Sequence, residues 1–165
     1  MVVDANVMNV FSQNLIRNEI ADTRTLIEWI ETTRGFAIDA GGKIKHQWLI
    51  TCDKTFFGTW FIEGLKAGRI RQVVAKLDER HSRHLRINCG MPTAGFELTY
   101  VAVANVVDGL KYIVTDDIDF WEPSAKKKNE KTKQAIKAGR TGCVYKYTRS
   151  IGIAVGTVSQ ALAEV

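Results

Sequence analysis

Long hydrophobic runs are missing from this chain. The longest, around YVAVANVV, covers about eight residues, well short of the roughly 20 that a membrane-spanning helix needs. No membrane partner is therefore expected. The opening MVVDANVM has no basic region and carries an acid at position 4, which argues against a secretory signal. Cysteine is also scarce. Cys52, Cys89 and Cys143 are odd in number and widely spaced, a pattern that fits reduced thiols in a cytoplasmic protein better than a disulfide framework. Internal repeats and linker-like stretches are absent too, so the 165 residues read as a single domain, 1–165, large enough for a substantial core.

Charge is what the chain does have, and it is unevenly placed. Residues 126–149 hold nine bases against one acid, Glu130, a net of +8, while the whole chain is only +5, so the remainder is −3. Lys126, Lys127, Lys128, Lys131, Lys133, Lys137 and Arg140 form the dense part of this segment. A second basic cluster runs through Arg69, Arg71, Lys76, Arg80, Arg83 and Arg86. A solvated helix face accounts for such runs, and so does a surface that holds a polyanion.

Hydrophobic periodicity places the elements. MVVDANV reads as a short buried strand ending at Asp4, and DTRTLIEWIETT as a helix with Asp22 at its N-cap. GFAIDAGGKIKHQWLI predicts two strands joined around Gly41 and Gly42. DKTFFGTWFIEGLK is a helix and RIRQVVA a strand, followed by a polar loop or short-helix region over 76–95. AGFELTYVAVANVVDG predicts a mostly buried helix closed by Gly109. KYIVTD is a buried strand, SAKKKNEKTKQAIKAGR a short exposed helix or loop, and SIGIAV a final strand. A last helix opens with the capping box TVSQ. Strands alternating with helices predict an α/β fold with a central, mainly parallel sheet. Trp29, Trp48 and Trp60 suit core packing better than base stacking. His81, His84 and Cys89 hint at zinc, but no second ligand pair has zinc-finger spacing, and they are expected to lie exposed on a basic loop.

Carboxylates are the candidates for chemistry. Asp116, Asp117 and Asp119 crowd the end of the KYIVTD strand and Asp4 ends the first one. In parallel α/β sheets, ligands bind outside the carboxyl ends of the strands. Glu97 opens the helix that feeds the KYIVTD strand. Acids converging there repel one another unless a cation neutralises them, and hard divalent ions take such oxygen ligands.

VVDANV, FELTYVAVA and IVTDDIDF, in this order and spacing, resemble the acidic motifs of the PIN-domain nucleases, most closely small bacterial PIN-domain toxin ribonucleases. The resemblance implies a three-layer α/β/α fold and an Mg²⁺- or Mn²⁺-dependent endonuclease acting on RNA, with DNA as the alternative substrate. It also implies a homodimer and an antitoxin or other inhibitory protein partner. Carried onto this chain, Asp4, Glu97, Asp117 and Asp119 are the catalytic metal ligands. Asn6 and Thr115 are accessory polar groups, and Asp116 is a neighbour of the site. The family usually has a further Glu between the first two acids. Here Gln47 stands near that place, and Asp39 is its possible substitute if the hairpin turns it inward.

The lost carboxylate opens an alternative, a catalytically weakened PIN-like module that binds nucleic acid or protein. A phosphoryl-transfer enzyme with an acidic pocket fits less well. A haloacid-dehalogenase-like phosphatase wants a second Asp where this chain has Asn6, and a receiver-like domain wants its paired acids after the first strand.

Overall fold

The computed structural model describes residues 1–164. Five short strands are all paired in parallel. β1 (Val2–Val3) pairs with β4 (Tyr112–Val114), which pairs with β5 (Ala154–Gly156), while β2 (Phe36–Asp39) pairs with β3 (Ile70–Val73). The Ala37 N–H donates to the Met1 carbonyl at 2.9 Å and lays β2 beside β1. The strand order is thus β3-β2-β1-β4-β5. From β1 the chain builds outward through β2 and β3, then returns to the other side of β1 for β4 and β5. The direction reverses between β1 and β4, the place where parallel sheets leave a crevice at their carboxyl ends.

Helices connect the strands: α1 (Ala5–Ile16), α2 (Asp22–Thr33), α3 (Lys43–Thr51), α4 (Lys54–Lys66), α5 (Glu79–Arg83), α6 (Glu97–Val106), α7 (Glu130–Ala138), α8 (Cys143–Ser150) and α9 (Val158–Glu164). The result is a mixed α/β fold around a small parallel sheet. Among the described residues no helix is long and apolar enough to cross a membrane.

Several sequence expectations need correction. The Gly41–Gly42 hairpin does not form. Gly42 sits at φ +78° as the residue before α3, and KIKHQWLIT is a helix. The reason is Asp39, whose two carboxylate oxygens accept from the backbone N–H groups of Lys43 (2.9 Å) and Ile44 (2.8 Å). That satisfies donors at the start of a helix and leaves no second strand to pair. Asp22 lies in the first turn of α2, with Ala21 at the cap. The buried helix α6 ends at Val106, before Gly109. α1 and α8 went unforeseen, because their apolar residues adjoin strand-like runs at VVDANV and SIGIAV. The TVSQ box forms as expected: Thr157 N–H donates to Gln160 Oε1 (3.0 Å) and Gln160 N–H to Thr157 Oγ1 (3.3 Å).

The thiols also differ from expectation, since Cys89 and Cys143 are joined as a disulfide. Cys52 is buried, which pushes its thiol pKa up to about 11. The tryptophans pack as foreseen. Trp48 is fully buried among Phe36, Phe57 and Trp60 and donates its indole N–H to the Val3 carbonyl at 3.0 Å. This fixes β1 against α3 and sets the position of the residue that follows Val3.

Candidate metal centre at the sheet switch point

Asp4 directly follows β1. Its N–H extends the ladder to the Val114 carbonyl at 2.9 Å, and its side chain then caps α1 by accepting from the Ala5 N–H at 2.7 Å. Local geometry alone therefore holds one carboxylate oxygen at a helix N-terminus, where negative charge is favoured. The other oxygen accepts from the Thr115 hydroxyl at 2.8 Å. Thr115, fully buried at the end of β4, in turn accepts from the Asp117 N–H at 3.0 Å. One hydroxyl thus ties the first strand-end acid to the segment that carries the last two. Asp117 continues this local order by capping a 3-10 turn, Ile118–Phe120, through Asp119 N–H (3.0 Å).

Glu97, in the first turn of α6, completes the set. Carboxylate oxygens of Glu97, Asp117 and Asp119 all lie within 4.8 Å of one another. Asp119 is buried, and Glu97 and Asp117 are half-buried. Such crowding raises the cost of ionisation. Burial is the main reason the Asp4 pKa is raised to about 6. The Thr115 hydrogen bond works against that rise, and the charges of Asp117 and Glu97 add to it. Glu97 is pushed up for the same leading reason, then by Asp117 and Asp119.

A neighbouring cation offsets part of this repulsion. Lys126 reaches back from the basic segment to within 2.6 Å of Asp119 Oδ2, and that hydrogen bond raises the lysine pKa. Two oxygens are left over. Glu97 Oε2 and Asp119 Oδ1 are buried without a hydrogen-bond partner among the described residues, a costly state for a carboxylate. Oxygen-only donors, several carboxylates and unpaired lone pairs fit a hard divalent cation.

The remaining sequence candidates separate clearly. Gln47, on α3, accepts from the Tyr100 hydroxyl at 2.7 Å, and Tyr100 feels the charge of Asp4. The Gln47 amide is therefore tied to α6, the helix that begins with Glu97. Asp39 does not replace it, since both of its oxygens are committed to α3. Asn6 is exposed on the first turn of α1, and Asp116 is exposed, with its carbonyl accepting from Lys137. Lys127, Lys128 and Lys131 are exposed and form no ion pair with the described residues, whereas Lys133 pairs with Glu130 and Arg140 with Glu164.

Two contributors went unforeseen. Lys126 was read only as part of a polyanion surface, and no local pattern signals that it turns toward Asp119. Gly95 is the other. A Cβ built there would lie 1.8 Å from Glu97 Oε2, so glycine leaves the space that the Glu97 carboxylate occupies. Its signal in the sequence is only its position two residues before an acid.

Compared with known proteins, the chain matches no family model, no curated protein and no solved structure.

Proposed function

We propose that the chain is a divalent-cation-dependent endoribonuclease of PIN-like, three-layer α/β/α architecture, working in the cytoplasm. One observation carries the reading: Glu97, Asp117 and Asp119 bring carboxylate oxygens within 4.8 Å of one another, two of their oxygens are buried and unpaired, and the Thr115 hydroxyl ties the Asp4 carboxylate to the same segment. Asp4, Glu97, Asp117 and Asp119 would hold Mg²⁺ or Mn²⁺. Bound there, the ion would polarise a phosphate oxygen and ease deprotonation of water.

The chain's own groups supply the rest. Thr115 fixes the Asp4 carboxylate and the turn bearing Asp117 in one arrangement. Glu97, half-buried in the first turn of α6, offers the ion a carboxylate from a helix that bears none of the other three acids. Lys126 can exchange its contact with Asp119 for a phosphodiester oxygen. Lys127, Lys128 and Lys131, exposed in the same segment, then follow the RNA backbone. A homodimer and a restraining protein partner such as an antitoxin belong to the same proposal.

The test is cleavage of single-stranded RNA by purified protein with Mn²⁺, with single-stranded DNA as the competing substrate. Asp117→Asn should abolish cutting while the circular dichroism spectrum is retained. Equal cutting by the variant would refute the site.

A second reading is favoured by Lys126, whose ammonium group already neutralises Asp119. In it the chain binds nucleic acid or protein without hydrolysis. RNA binding without cleavage, together with a melting temperature that Mn²⁺ does not move, would select this reading over the first.

A further inference from the structure

A second cluster lies away from the acids and has the opposite chemical character. His84, Cys89 and Cys143 bring one imidazole nitrogen and two sulfurs within 4.8 Å of one another. The backbone explains why. After α5 the chain runs through one π-helical turn, His84–Asn88, in which Cys89 N–H donates to the His84 carbonyl at 3.2 Å. An ordinary helix would bring His84 over residue 87 or 88, but the wider turn aligns it with Cys89. Such turns recur at functional sites.

Cys143 comes from α8, at its first position, with its N–H held by Glu122 Oε2 at 2.9 Å. One turn later on the same face, Tyr147 stacks on the His84 ring, with centroids 3.9 Å apart and planes at 14°. Its hydroxyl sits 2.8 Å from His81 Nδ1. Tyr147 therefore fixes the plane of the His84 ring, as supporting residues do for metal-binding histidines. The surface beside the His84 ring carries charges of both signs, Arg80 and Arg83 with Glu79.

We propose that His84, Cys89 and Cys143 form a zinc-class metal site that is open in the reduced protein and closed by the Cys89–Cys143 disulfide. Two thiolates and one imidazole are the donors zinc prefers, and a water completes the tetrahedron. Donor atoms around such an ion stand about 3.6–3.8 Å apart, given bonds of roughly 2.3 Å to sulfur and 2.0–2.1 Å to nitrogen. The three groups need only small side-chain rotations to reach this spacing once the sulfurs part.

Closure requires an oxidant, and a low-molecular-weight disulfide such as oxidised glutathione serves. Its sulfur–sulfur bond breaks and the Cys89–Cys143 bond forms. Two electrons pass from the protein thiolates to the oxidant, whose sulfurs take up two protons and leave as two thiols, and the metal ion is released.

Co²⁺ is a suitable probe because oxygen-only sites give no sulfur-to-cobalt charge-transfer band, which separates this site from the acid cluster. Full-length protein, reduced and kept anaerobic, should develop that band at one Co²⁺ per chain. Zn²⁺ should displace the Co²⁺, and oxidised glutathione should abolish the band. Cys143→Ser should lose the band. His84→Ala, which keeps both cysteines, should weaken binding by more than the roughly 10–100-fold typical of removing a supporting partner. The proposal fails if reduced wild-type protein, folded by circular dichroism, shows no band. It fails equally if His84→Ala binds Co²⁺ as tightly as wild type. Either result would leave the two cysteines as a structural crosslink.

Discussion

Asp4 and Asp39 occupy equivalent places. Each ends one of two neighbouring parallel strands, each is nearly buried, at 3% and 6% exposure, and each accepts from the start of the following helix. They differ in what surrounds the second oxygen. In Asp39 both oxygens take backbone N–H groups, so the carboxylate is fully used in holding α3. In Asp4 one oxygen faces the Thr115 hydroxyl and the charges of Asp117 and Glu97. Residue type, strand position and burial are thus the same for a structural cap and for a candidate metal ligand. The neighbours decide, and these come from β4 and α6, more than 90 residues away in the chain.

The sharpest way to break this contrast is by substitution. Asp4→Asn is expected to abolish Mn²⁺-dependent RNA cleavage, a loss of several orders of magnitude, whereas Asp39→Asn should leave cleavage unchanged in a gel assay at matched protein concentration. If the Asp39 variant is as inactive as the Asp4 variant, the two positions are not chemically distinct. Gly95→Ala should fall between them, because the added methyl displaces the Glu97 carboxylate. Its expected signature is weaker Mn²⁺ dependence with the fold intact.

Next in size is the effect of pH on stability. The Asp4 pKa stands at about 6 in the folded chain against an ordinary 3.8. Between those values the folded state binds the extra proton, so stability falls as pH rises from about 4 to about 6 and then levels off. The span corresponds to about 3 kcal/mol. Urea unfolding of chelator-treated wild type and Asp4→Asn across this range measures it: the slope should be shallower in the variant, with the remainder coming from other raised carboxyls such as Glu97. Asp39→Ala should cost about 1–2 kcal/mol through loss of the cap.

The smallest effect concerns the basic segment. Exchanging Lys127, Lys128 and Lys131 for Gln should reduce the salt dependence of RNA binding by about 0.7 per lost phosphate contact, read as the slope of log affinity against log salt. An unchanged slope would remove the segment from the interface and leave Lys126 as the basic group nearest the acids.

The α/β alternation was legible in the sequence because buried parallel strands such as KYIVTD are uniformly apolar and the helix around Tyr100 is too. The acid cluster was legible as well, since Asp4, Glu97, Asp117 and Asp119 each sit at an element boundary that local pattern reveals. Asp39 misled for the same reason. Its strand-end position resembles that of Asp4, and the amides of Lys43 and Ile44 that occupy it follow from a helix that the paired glycines disguised. The cysteines illustrate a different limit. Cys89 and Cys143 are 54 residues apart, and only the π-helical turn and the packing of α8 bring them together. Nothing in their spacing along the chain signals either.

The Thr115 hydroxyl has a consequence for timing. It joins two carboxylate-bearing segments separated by 111 positions, so Asp4 is synthesised well before any of its companions. Glu97 arrives later, and Asp117 and Asp119 come after it. Until β4 docks beside β1, the first acid is an ordinary helix cap. Under the proposed ribonuclease reading, a product truncated before β4 lacks Asp117, Asp119 and the hydroxyl that joins them to Asp4.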